Sequence, residues 1–335
     1  MGKERKYRKL FEDFDRLRIM IIGDVMLDTY LWGKVERISP EAPIPIVALK
    51  CRENRMGGAA NVARNIRSMG ATPVLCSVIG TDDKGDQFLE LLRQEGIENR
   101  GILRSSHRIT TTKFRIFGNN VQMLRVDEEV EHDLVEEDQR NLFSAIERIL
   151  REGDIHCIIF QDYNKGVISA SLIRDVVALA GQLKIPMTVD PKKKNFHSYT
   201  GVTLFKPNLK ELREGLKLEF DAADRGSVIR AAQTIREQLR CRYVMTTLAE
   251  KGILMSMDDH GSEPNLFVQA HSRSVADVSG AGDTVISVAS LCLALDCTPV
   301  EIASISNLAG GLVCEEVGVV PVQKEKLFRE VLALL

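Results

Sequence analysis

The stretch from Cys157 to Asp190 decides the fold of this 335-residue chain. It contains the apolar run Cys157-Ile158-Ile159-Phe160, a helix predicted to begin at Ser169, and the run Met187-Thr188-Val189-Asp190. The two short apolar runs are typical of strands that are buried on both faces of a sheet. The segment between them is long enough for a crossover helix, which parallel neighbouring strands require. This strand–helix–strand unit therefore predicts an α/β fold built on a parallel sheet.

The same alternation of strands and helices continues along most of the chain. Further strand-like runs lie at 18–22, 74–80, 204–205 and 243–247. Helices are predicted at 57–69, 84–94, 280–296, 299–314 and 322–335, and others begin near 136, 208 and 225. The pattern predicts a doubly wound, mostly parallel sheet with helices on both faces. Because no repeat or linker divides the chain, residues 1–335 are expected to form a single domain.

Two β segments, near 30–50 and 108–128, do not fit this alternation. The first contains Ile44-Pro45-Ile46-Val47-Ala48-Leu49, and its prolines favour an edge strand. The second reads as a β-hairpin that turns at Gly118-Asn119-Asn120. We expect both segments to form a small β lid inserted into the main domain.

The composition excludes several classes of protein. A net charge of −2 with 27% charged residues argues against a general nucleic-acid binder. No apolar run reaches the ~18 residues of a membrane span, and the charged N-terminus lacks a signal-peptide core. The seven cysteines contain no C-x-x-C pair, which is typical of reduced thiols rather than of disulfides or a zinc site. We therefore expect a cytoplasmic protein with neither nucleic acid nor membrane as partner.

The stretch Asp277-Val278-Ser279-Gly280-Ala281-Gly282-Asp283-Thr284 precedes an apolar helix. Glycines in such a turn direct backbone N–H groups and the positive end of the helix dipole at one point, where an anion can bind. Asp283 would lie beside that anion and accept a proton from an attacking hydroxyl, which indicates phosphoryl transfer to an alcohol. A simple strand-to-helix turn is the alternative. Neither a Walker loop nor a dinucleotide fingerprint is present.

Polar residues follow several of the predicted strands, where open α/β sheets bind ligands. They are Asp24, Asp162, Asp190 and Asn208. Single residues of this kind often only cap a turn or a helix, but four of them favour a functional cleft. A second glycine site, Gly57-Gly58-Ala59-Ala60-Asn61-Val62-Ala63, suits either close approach of a ligand or tight helix packing.

Two further groups of residues allow both a functional and an ordinary interpretation. Asn208 and Glu211 read as a helix cap from local sequence alone, and alternatively as residues near Mg²⁺ and its waters. Charged side chains lie in the predicted lid and after strand ends: Arg37, Lys113, Arg115, Arg125, Lys165 and Lys192-Lys193-Lys194. Such charges usually face solvent or protect sheet edges, but arginines in a lid would also hold the phosphate of a phosphorylated substrate.

With these motifs the chain resembles the ribokinase/PfkB family of carbohydrate kinases over residues 15–330. The resemblance lies in the two glycine motifs and in Asn208-Leu209-Lys210-Glu211 between them. Within the family, three stretches resemble the heptose-7-phosphate kinases of lipopolysaccharide core synthesis. These are Gly23–Tyr30, Arg37–Pro45 and Gln161–Gly166. Ser279 stands where the family usually has threonine, which preserves the hydroxyl.

The resemblance implies a ribokinase-like fold and roles for particular residues. Asp283 would be the catalytic base, and the N–H groups of Gly280, Ala281 and Gly282 would form the anion hole. The nucleotide site implied comprises Asn208, Glu211, Thr247, Glu250, Gly252 and Asn307, with the first two near Mg²⁺ through water. The sugar site implied comprises Asp24, Gly57, Gly58, Asn61, Lys165 and Asp190, with Arg125 for the distal phosphate.

The implied reaction is ATP-dependent phosphorylation of D-glycero-D-manno-heptose 7-phosphate at O1. The family resemblance also implies a homodimer through the lid, and leaves a monovalent-cation requirement open. Many such kinases are fused to a nucleotidyltransferase, and here the following step is expected to need a separate one. Two other functions stay open: a kinase of the same fold for another sugar, sugar phosphate or nucleoside, and a non-catalytic sugar sensor.

Overall fold

The computed structural model describes residues 2–221, 224–257, 265–271 and 273–335. The α-helices are α1 Gly2–Asp13, α2 Ala59–Ser68, α3 Asp83–Gln94, α4 Glu136–Arg151, α5 Ala170–Leu183, α6 Leu209–Leu216, α7 Arg225–Leu239, α8 Ala281–Ala294, α9 Pro299–Val313 and α10 Lys324–Leu334. The strands are β1 Arg18–Gly23, β2 Val25–Ile38, β3 Pro45–Gly58, β4 Thr72–Gly80, β5 Gly101–Ser105, β6 Thr112–Gly118, β7 Val121–Glu128, β8 Cys157–Gln161, β9 Met187–Asp190, β10 Leu204–Phe205, β11 Tyr243–Thr247, β12 Ile253–Met257 and β13 Asn265–Val268.

The main sheet has nine strands in the order β13-β12-β11-β10-β9-β8-β1-β4-β5. Seven of them, from β11 to β5, pair in parallel, and β12 and β13 add an antiparallel hairpin at one edge. Buried runs without alternation form the central strands because helices cover both faces. The predicted mostly parallel, doubly wound sheet with helices on both faces is confirmed.

Two apolar cores lie on the opposite faces of this sheet. One contains buried residues of α1, α2, α3, α8, α9 and α10, and the other contains those of α4, α5, α6 and α7. Helix α8 is buried from Asp283 to Leu293, which agrees with its apolar sequence on all sides. Its N-terminus is therefore held rigidly at the edge of the sheet where the parallel strands end.

A second sheet of four strands, in the order β3-β2-β6-β7, forms the structure that we call the lid sheet. Strands β2 and β3 form a long antiparallel ribbon, and β6 and β7 form the predicted hairpin. The turn of that hairpin places Asn119 and Asn120 at φ of 51° and 66°, a conformation that asparagine tolerates. The ribbon reaches beyond the predicted segment 30–50 at both ends, since it begins at Val25 and ends at Gly58.

One predicted helix begins later than expected, and some elements were not predicted. The helix predicted at 57–69 begins only at Ala59, because Gly58 has a φ of +62° that no helix residue adopts, and Gly57 and Gly58 end strand β3. Helix α1 and the β12–β13 hairpin were not predicted. All seven cysteines are free. Among the described residues, no helix is both long and apolar enough to cross a membrane.

Candidate active site

The candidate site lies where the parallel strands end and the chain order of the sheet reverses. Strand β1 pairs with β4 on one side and with β8 on the other, so a crevice opens between β1 and β8. Such a switch point is where open α/β sheets bind ligands. Gln161 at the end of β8 and Asn61 in the first turn of α2 both contact Asp283 at the start of α8. The sequence-predicted motifs are thus brought together.

Asp283 is buried and accepts three side-chain hydrogen bonds. Oδ2 accepts from Asn61 Nδ2 at 2.7 Å, and Oδ1 accepts from Tyr163 Oη at 2.7 Å and from Gln161 Nε2 at 3.1 Å. Burial raises the pKa of Asp283 to about 6, with a contribution from Asp190, while the bonds from Asn61 and Tyr163 and the charge of Lys206 oppose the rise. A carboxylate with a pKa near neutrality is suited to act as a general base.

Residues 277–282, which we call the glycine loop, give α8 its N-terminus. Gly280 caps the helix in the left-handed region at φ 82°, which glycine adopts without strain. The Asp277 side chain holds the loop by accepting from Ser279 N at 2.9 Å and from Gly318 N at 3.1 Å. The first backbone hydrogen bond within the helix runs from Thr284 N to Gly280 O. The N–H groups of Gly282 and Asp283 lie before this bond, and they therefore point out of the N-terminal end of the helix.

A buried ion pair lies beside the glycine loop. Lys206 Nζ is 3.1 Å from Asp190 Oδ1, and both side chains are at least 90% buried. A Cβ atom placed on Gly282 would lie 3.8 Å from Lys206 Nζ and 3.8 Å from Asp190 Oδ2. Gln161 Nε2 also donates to Asp190 Oδ2 at 3.3 Å. The loop N–H groups and the Lys206 ammonium therefore converge on one volume, which is a suitable environment for a phosphoryl group.

Asp24 holds a loop rather than presenting a free carboxylate. It is 1% exposed and accepts from the N–H groups of Tyr163, Lys165 and Val167 at 2.9, 3.1 and 3.0 Å. Burial and the nearby Asp162 raise its pKa, while these three bonds oppose the rise. Asp24 thus fixes the backbone that carries Tyr163, and its contact with sugar hydroxyls stays a prediction.

Asp28, which was not predicted as a site residue, lies on strand β2 next to the glycines that end β3. It is buried, it forms an ion pair with Arg115, and a side chain at Gly57 would collide with its Oδ2. A side chain at Gly58 would likewise collide with the Asp24 carbonyl. Both glycines are thus required for close approach of β3 to β2.

The residues predicted for the nucleotide lie further along the same sheet edge. Asn208 and Glu211 form a complete capping box at the start of α6, and Glu211 Oε1 also contacts Lys192. Thr247 and Gly252 lie at the ends of β11 and β12, and Asn307 donates to Gln269 O at 2.8 Å. A cavity of about 370 Å³ opens there. Its lining includes Arg225, Leu248, Glu250, Phe267 and Gln269.

Two predicted substrate residues are engaged elsewhere. Lys165 is buried, and its Nζ lies 2.7 Å from Glu129 Oε1 and 2.8 Å from Glu131 Oε1. Arg125 is exposed on β7 and pairs with Asp127 at 3.0 Å. Arg125 nevertheless lies directly opposite Arg115 in the β6–β7 ladder, so the two arginines share one face of the lid sheet.

Sequence reasoning missed the roles of Asp28, Gln161, Tyr163 and Lys206. Lys206 left a recognisable signal, because a lysine that directly follows a buried strand has to find a partner. Gln161 and Tyr163 belong to a stretch that was quoted only for its resemblance. Their contact with Asp283 spans about 120 positions of sequence and depends on the strand order, which local patterns do not encode.

Comparison with known proteins identifies the family of this chain. A family model described as pfkB family carbohydrate kinase matches residues 16–326. The bifunctional protein HldE of Methylobacillus flagellatus is 39% identical over 316 residues, which are 94% of this chain and 63% of that protein. HldE of Helicobacter pylori is 36% identical over 301 residues, or 90% of this chain and 63% of that protein. The chain thus spans slightly less than two thirds of these relatives.

Solved structures match the fold at lower identity. Phosphofructokinase-2 from Escherichia coli superposes with a TM-score of 0.76 at 18% identity, covering 94% of this chain and 99% of that one. Arabidopsis thaliana ribokinase complexed with ribose and ATP gives a TM-score of 0.72 at 14% identity, covering 95% and 99%. Since the family model matches most of the sequence and the site has the geometry described above, the chain belongs to the pfkB family of carbohydrate kinases and is a sugar kinase.

Proposed function

We propose that this kinase transfers the γ-phosphoryl group of ATP to O1 of D-glycero-D-manno-heptose 7-phosphate, for ADP-heptose and lipopolysaccharide core synthesis. The observation that carries the transfer is Asp283, a buried carboxylate with a pKa of about 6 at the N-terminus of α8. The choice of sugar is supported by the subgroup stretches of the sequence and by relatives named HldE. Those relatives are named bifunctional, and we propose that a separate nucleotidyltransferase performs the following step.

In the proposed mechanism Asp283 accepts the proton of the sugar hydroxyl as its oxygen attacks the γ-phosphorus. The anion hole consists of the N–H groups of Gly280, Ala281 and Gly282, which meet the charge that develops on the transferred group. Of these, Ala281 N donates to Val278 O at 3.3 Å in the structure and would exchange that long bond for the phosphate. The Lys206 ammonium adds a positive charge on the same side.

The nucleotide is proposed to bind along Thr247, Glu250, Gly252 and Asn307, with the cavity at Glu250 receiving part of it. The described residues include no cluster of three His, Cys, Asp or Glu side chains that would hold a metal. This fits Mg²⁺, which keeps most of its waters and takes few protein ligands. Glu211 and Asn208 retain lone pairs for those waters, and a bound Mg²⁺ would neutralise charge on the phosphates.

The distal phosphate of the sugar is proposed to contact the arginine-bearing face of the lid sheet. By strand register Asp28 lies opposite Arg55, and Tyr30 lies opposite Arg115, so these side chains share one face. The guanidinium groups of Arg55 and Arg115 lie 4.7 and 5.3 Å from the centre of the Tyr30 ring. Arg115 is half-buried and only Asp28 pairs with it among the described ion pairs, so its fork can also bind an anion. Arg125 stands next to it as a second donor.

Replacing Arg115 with alanine is expected to raise KM for a sugar phosphate about 10- to 100-fold, because one charge-assisted contact is lost. KM for ATP should change little. Arg37→Ala is the matched control, since Arg37 is an exposed arginine at the outer end of β2. Steady-state kinetics with phosphorylated and unphosphorylated sugars decide the point. An equal effect on both sugars would place the distal phosphate elsewhere.

We also propose a homodimer through the outer part of the lid sheet. Large apolar side chains are exposed there: Ile38, Ile44, Leu49, Val121 and Leu124 are each 55–64% exposed. Apolar groups of this density on a surface usually mark an interface. Sedimentation analysis should give a dimer that Leu124→Asp converts to monomers. Val300→Asp, on the exposed side of α9, should leave it intact. A monomeric wild-type protein at micromolar concentration would contradict the proposal.

The experiment that tests the function is ATP consumption by the purified protein with Mg²⁺ and one acceptor at a time. The acceptors are heptose 7-phosphate, unphosphorylated heptose, fructose 6-phosphate and ribose. Turnover restricted to heptose 7-phosphate would support the proposed reaction. Turnover on another sugar would favour a kinase of different specificity. An absence of turnover on all four, with sugar binding retained, would favour the sensor.

A further inference from the structure

The loop that follows β8 is fixed by two buried carboxylates. Asp24 accepts three backbone N–H groups from residues 163–167, and Asp162 accepts Asn164 N at 2.8 Å. Asp162 in turn accepts from Asn195 Nδ2 at 3.1 Å and from Tyr199 Oη at 2.8 Å. Because four of its backbone N–H groups are held, the loop presents the Tyr163 side chain in one orientation.

Tyr163 directs its hydroxyl at the base. Its Oη lies 2.7 Å from Asp283 Oδ1, and Gln161 Nε2 lies 3.1 Å from the same oxygen. The Gln161 orientation follows from its neighbours, because its amide N–H₂ stands between the carboxylates of Asp283 and Asp190. In the described part of the chain, Asp283 Oδ2 accepts one bond, from Asn61. Since each carboxylate oxygen offers about two lone pairs, Oδ1 is saturated and Oδ2 is not.

We propose that Tyr163 is a positioning residue for phosphoryl transfer, which together with Gln161 occupies Oδ1 of Asp283 and so leaves Oδ2 to take the proton of the acceptor hydroxyl. This inference rests on the proposed function, in which Asp283 is the base. In the transfer, the acceptor oxygen forms a bond to the γ-phosphorus and the bond to the β,γ-bridging oxygen breaks. The electron pair of the broken bond leaves with ADP, and the proton of the acceptor hydroxyl moves to Oδ2 of Asp283.

The charges around Asp283 keep Tyr163 in the donor form. Burial and then the charges of Asp283 and Asp190 raise the pKa of Tyr163 well above 10, so the phenol stays protonated. Lys192 stands 5.7 Å above the Tyr163 ring, and Lys206 pairs with Asp190. Asp190, Lys192 and Lys206 are thus the charged groups that face the pair, and a change at Tyr163 leaves all three in place.

The test is the pH dependence of kcat in Tyr163→Phe. A donor to a carboxylate stabilises its anion, so Tyr163 lowers the pKa of Asp283 and its removal must raise it. In the wild type the activity should decline as the pH falls through about 6. In Tyr163→Phe we expect the midpoint of this acidic limb to move upward by about one pH unit, the size of one charge-assisted hydrogen bond. KM for both substrates should change less than about twofold.

Tyr199→Phe is the matched control. Tyr199 is also a buried tyrosine that donates to a carboxylate at 2.8 Å, but its partner is Asp162 rather than the base. This variant should keep the wild-type acidic limb. An unmoved limb in a folded Tyr163→Phe protein, or the same displacement in both variants, would overturn the positioning role. Thermal unfolding establishes that each variant is folded.

A second measurement needs no substrate. Carbon-13 NMR of protein labelled at the aspartate carboxyl carbon follows the titration of Asp283, and Asp283→Asn identifies its signal. The midpoint should rise in Tyr163→Phe and stay unchanged in Tyr199→Phe. If the midpoint rises but no acceptor is phosphorylated, the contact stands and the proposed reaction fails. If turnover depends on Asp283 while the wild-type and Tyr163→Phe titrations coincide, the inference alone fails.

Discussion

Asp283→Asn is expected to lower kcat at least ~100-fold, or about 2.7 kcal/mol of transition-state stabilisation, while binding of ATP and sugar is retained. The fold should tolerate the change. The Asn61 amide donates to Oδ2, and its own buried Oδ1 has no hydrogen-bond partner among the described residues, so rotation of the amide would present an acceptor to the new N–H₂. Only the ability to take a proton is removed.

The control for this prediction is Asp296→Asn, the same change just beyond the other end of α8. Asp296 is exposed and has a φ of 51°, a conformation that asparagine accepts. Steady-state kinetics give kcat, and calorimetric titration gives the affinities. Turnover by Asp283→Asn within about tenfold of wild type would remove this residue from the role of base, because a lost general base costs at least ~100-fold.

Gly282→Val is expected to lower kcat about 100- to 1,000-fold, because the valine side chain would fill the anion hole. Its backbone lies within α8, and a Cβ atom would meet its nearest neighbours only at 3.8 Å, so the protein should still fold. Those neighbours are Lys206 and Asp190, and the valine methyl groups would extend into the space where the phosphoryl group is proposed to pass.

Gly181→Val is the matched control for this steric prediction. Gly181 also lies in a helix, near the end of α5, and no atom stands within 4 Å of a Cβ placed there. The control should keep both the melting temperature and kcat. A Gly282→Val protein with near-normal kcat would show that the phosphoryl group does not pass beside the first turn of α8.

Much of the fold follows from the sequence because the central strands are continuous apolar runs. Helix α1 was not predicted because charged residues separate its apolar residues along the sequence. Tyr7, Phe11 and Phe14 stand at helical spacing, and Phe11 packs against Phe328. The start of α2 was misplaced because the small residues of Gly57–Ala63 suit a helix, whereas Gly58 requires a positive φ. Local propensity does not report such a conformation.

The chemistry of the site was predicted in part for a related reason. The glycine loop and Asp283 form a contiguous motif, and their role follows from helix geometry and charge. The backbone contacts of Asp24 were not predicted, because a carboxylate at a strand end looks the same in sequence whether it binds a ligand or backbone N–H groups. Tyr163 and Lys206 acquire their roles only when β8, β9 and β10 are set side by side.

The continuity of the β2–β3 ribbon has a consequence for wasteful ATP hydrolysis. Its ladder is unbroken from Val25 opposite Gly58 to Trp32 opposite Cys51, and the register shifts only beyond Trp32. The inner part of the ribbon is therefore a continuous plate that carries Asp28 and leads directly into the helix of Asn61. Asn61 donates to Oδ2 of Asp283, so the position of this plate and the alignment of the base are linked. We expect hydrolysis of ATP without a sugar to be much slower than phosphoryl transfer to one.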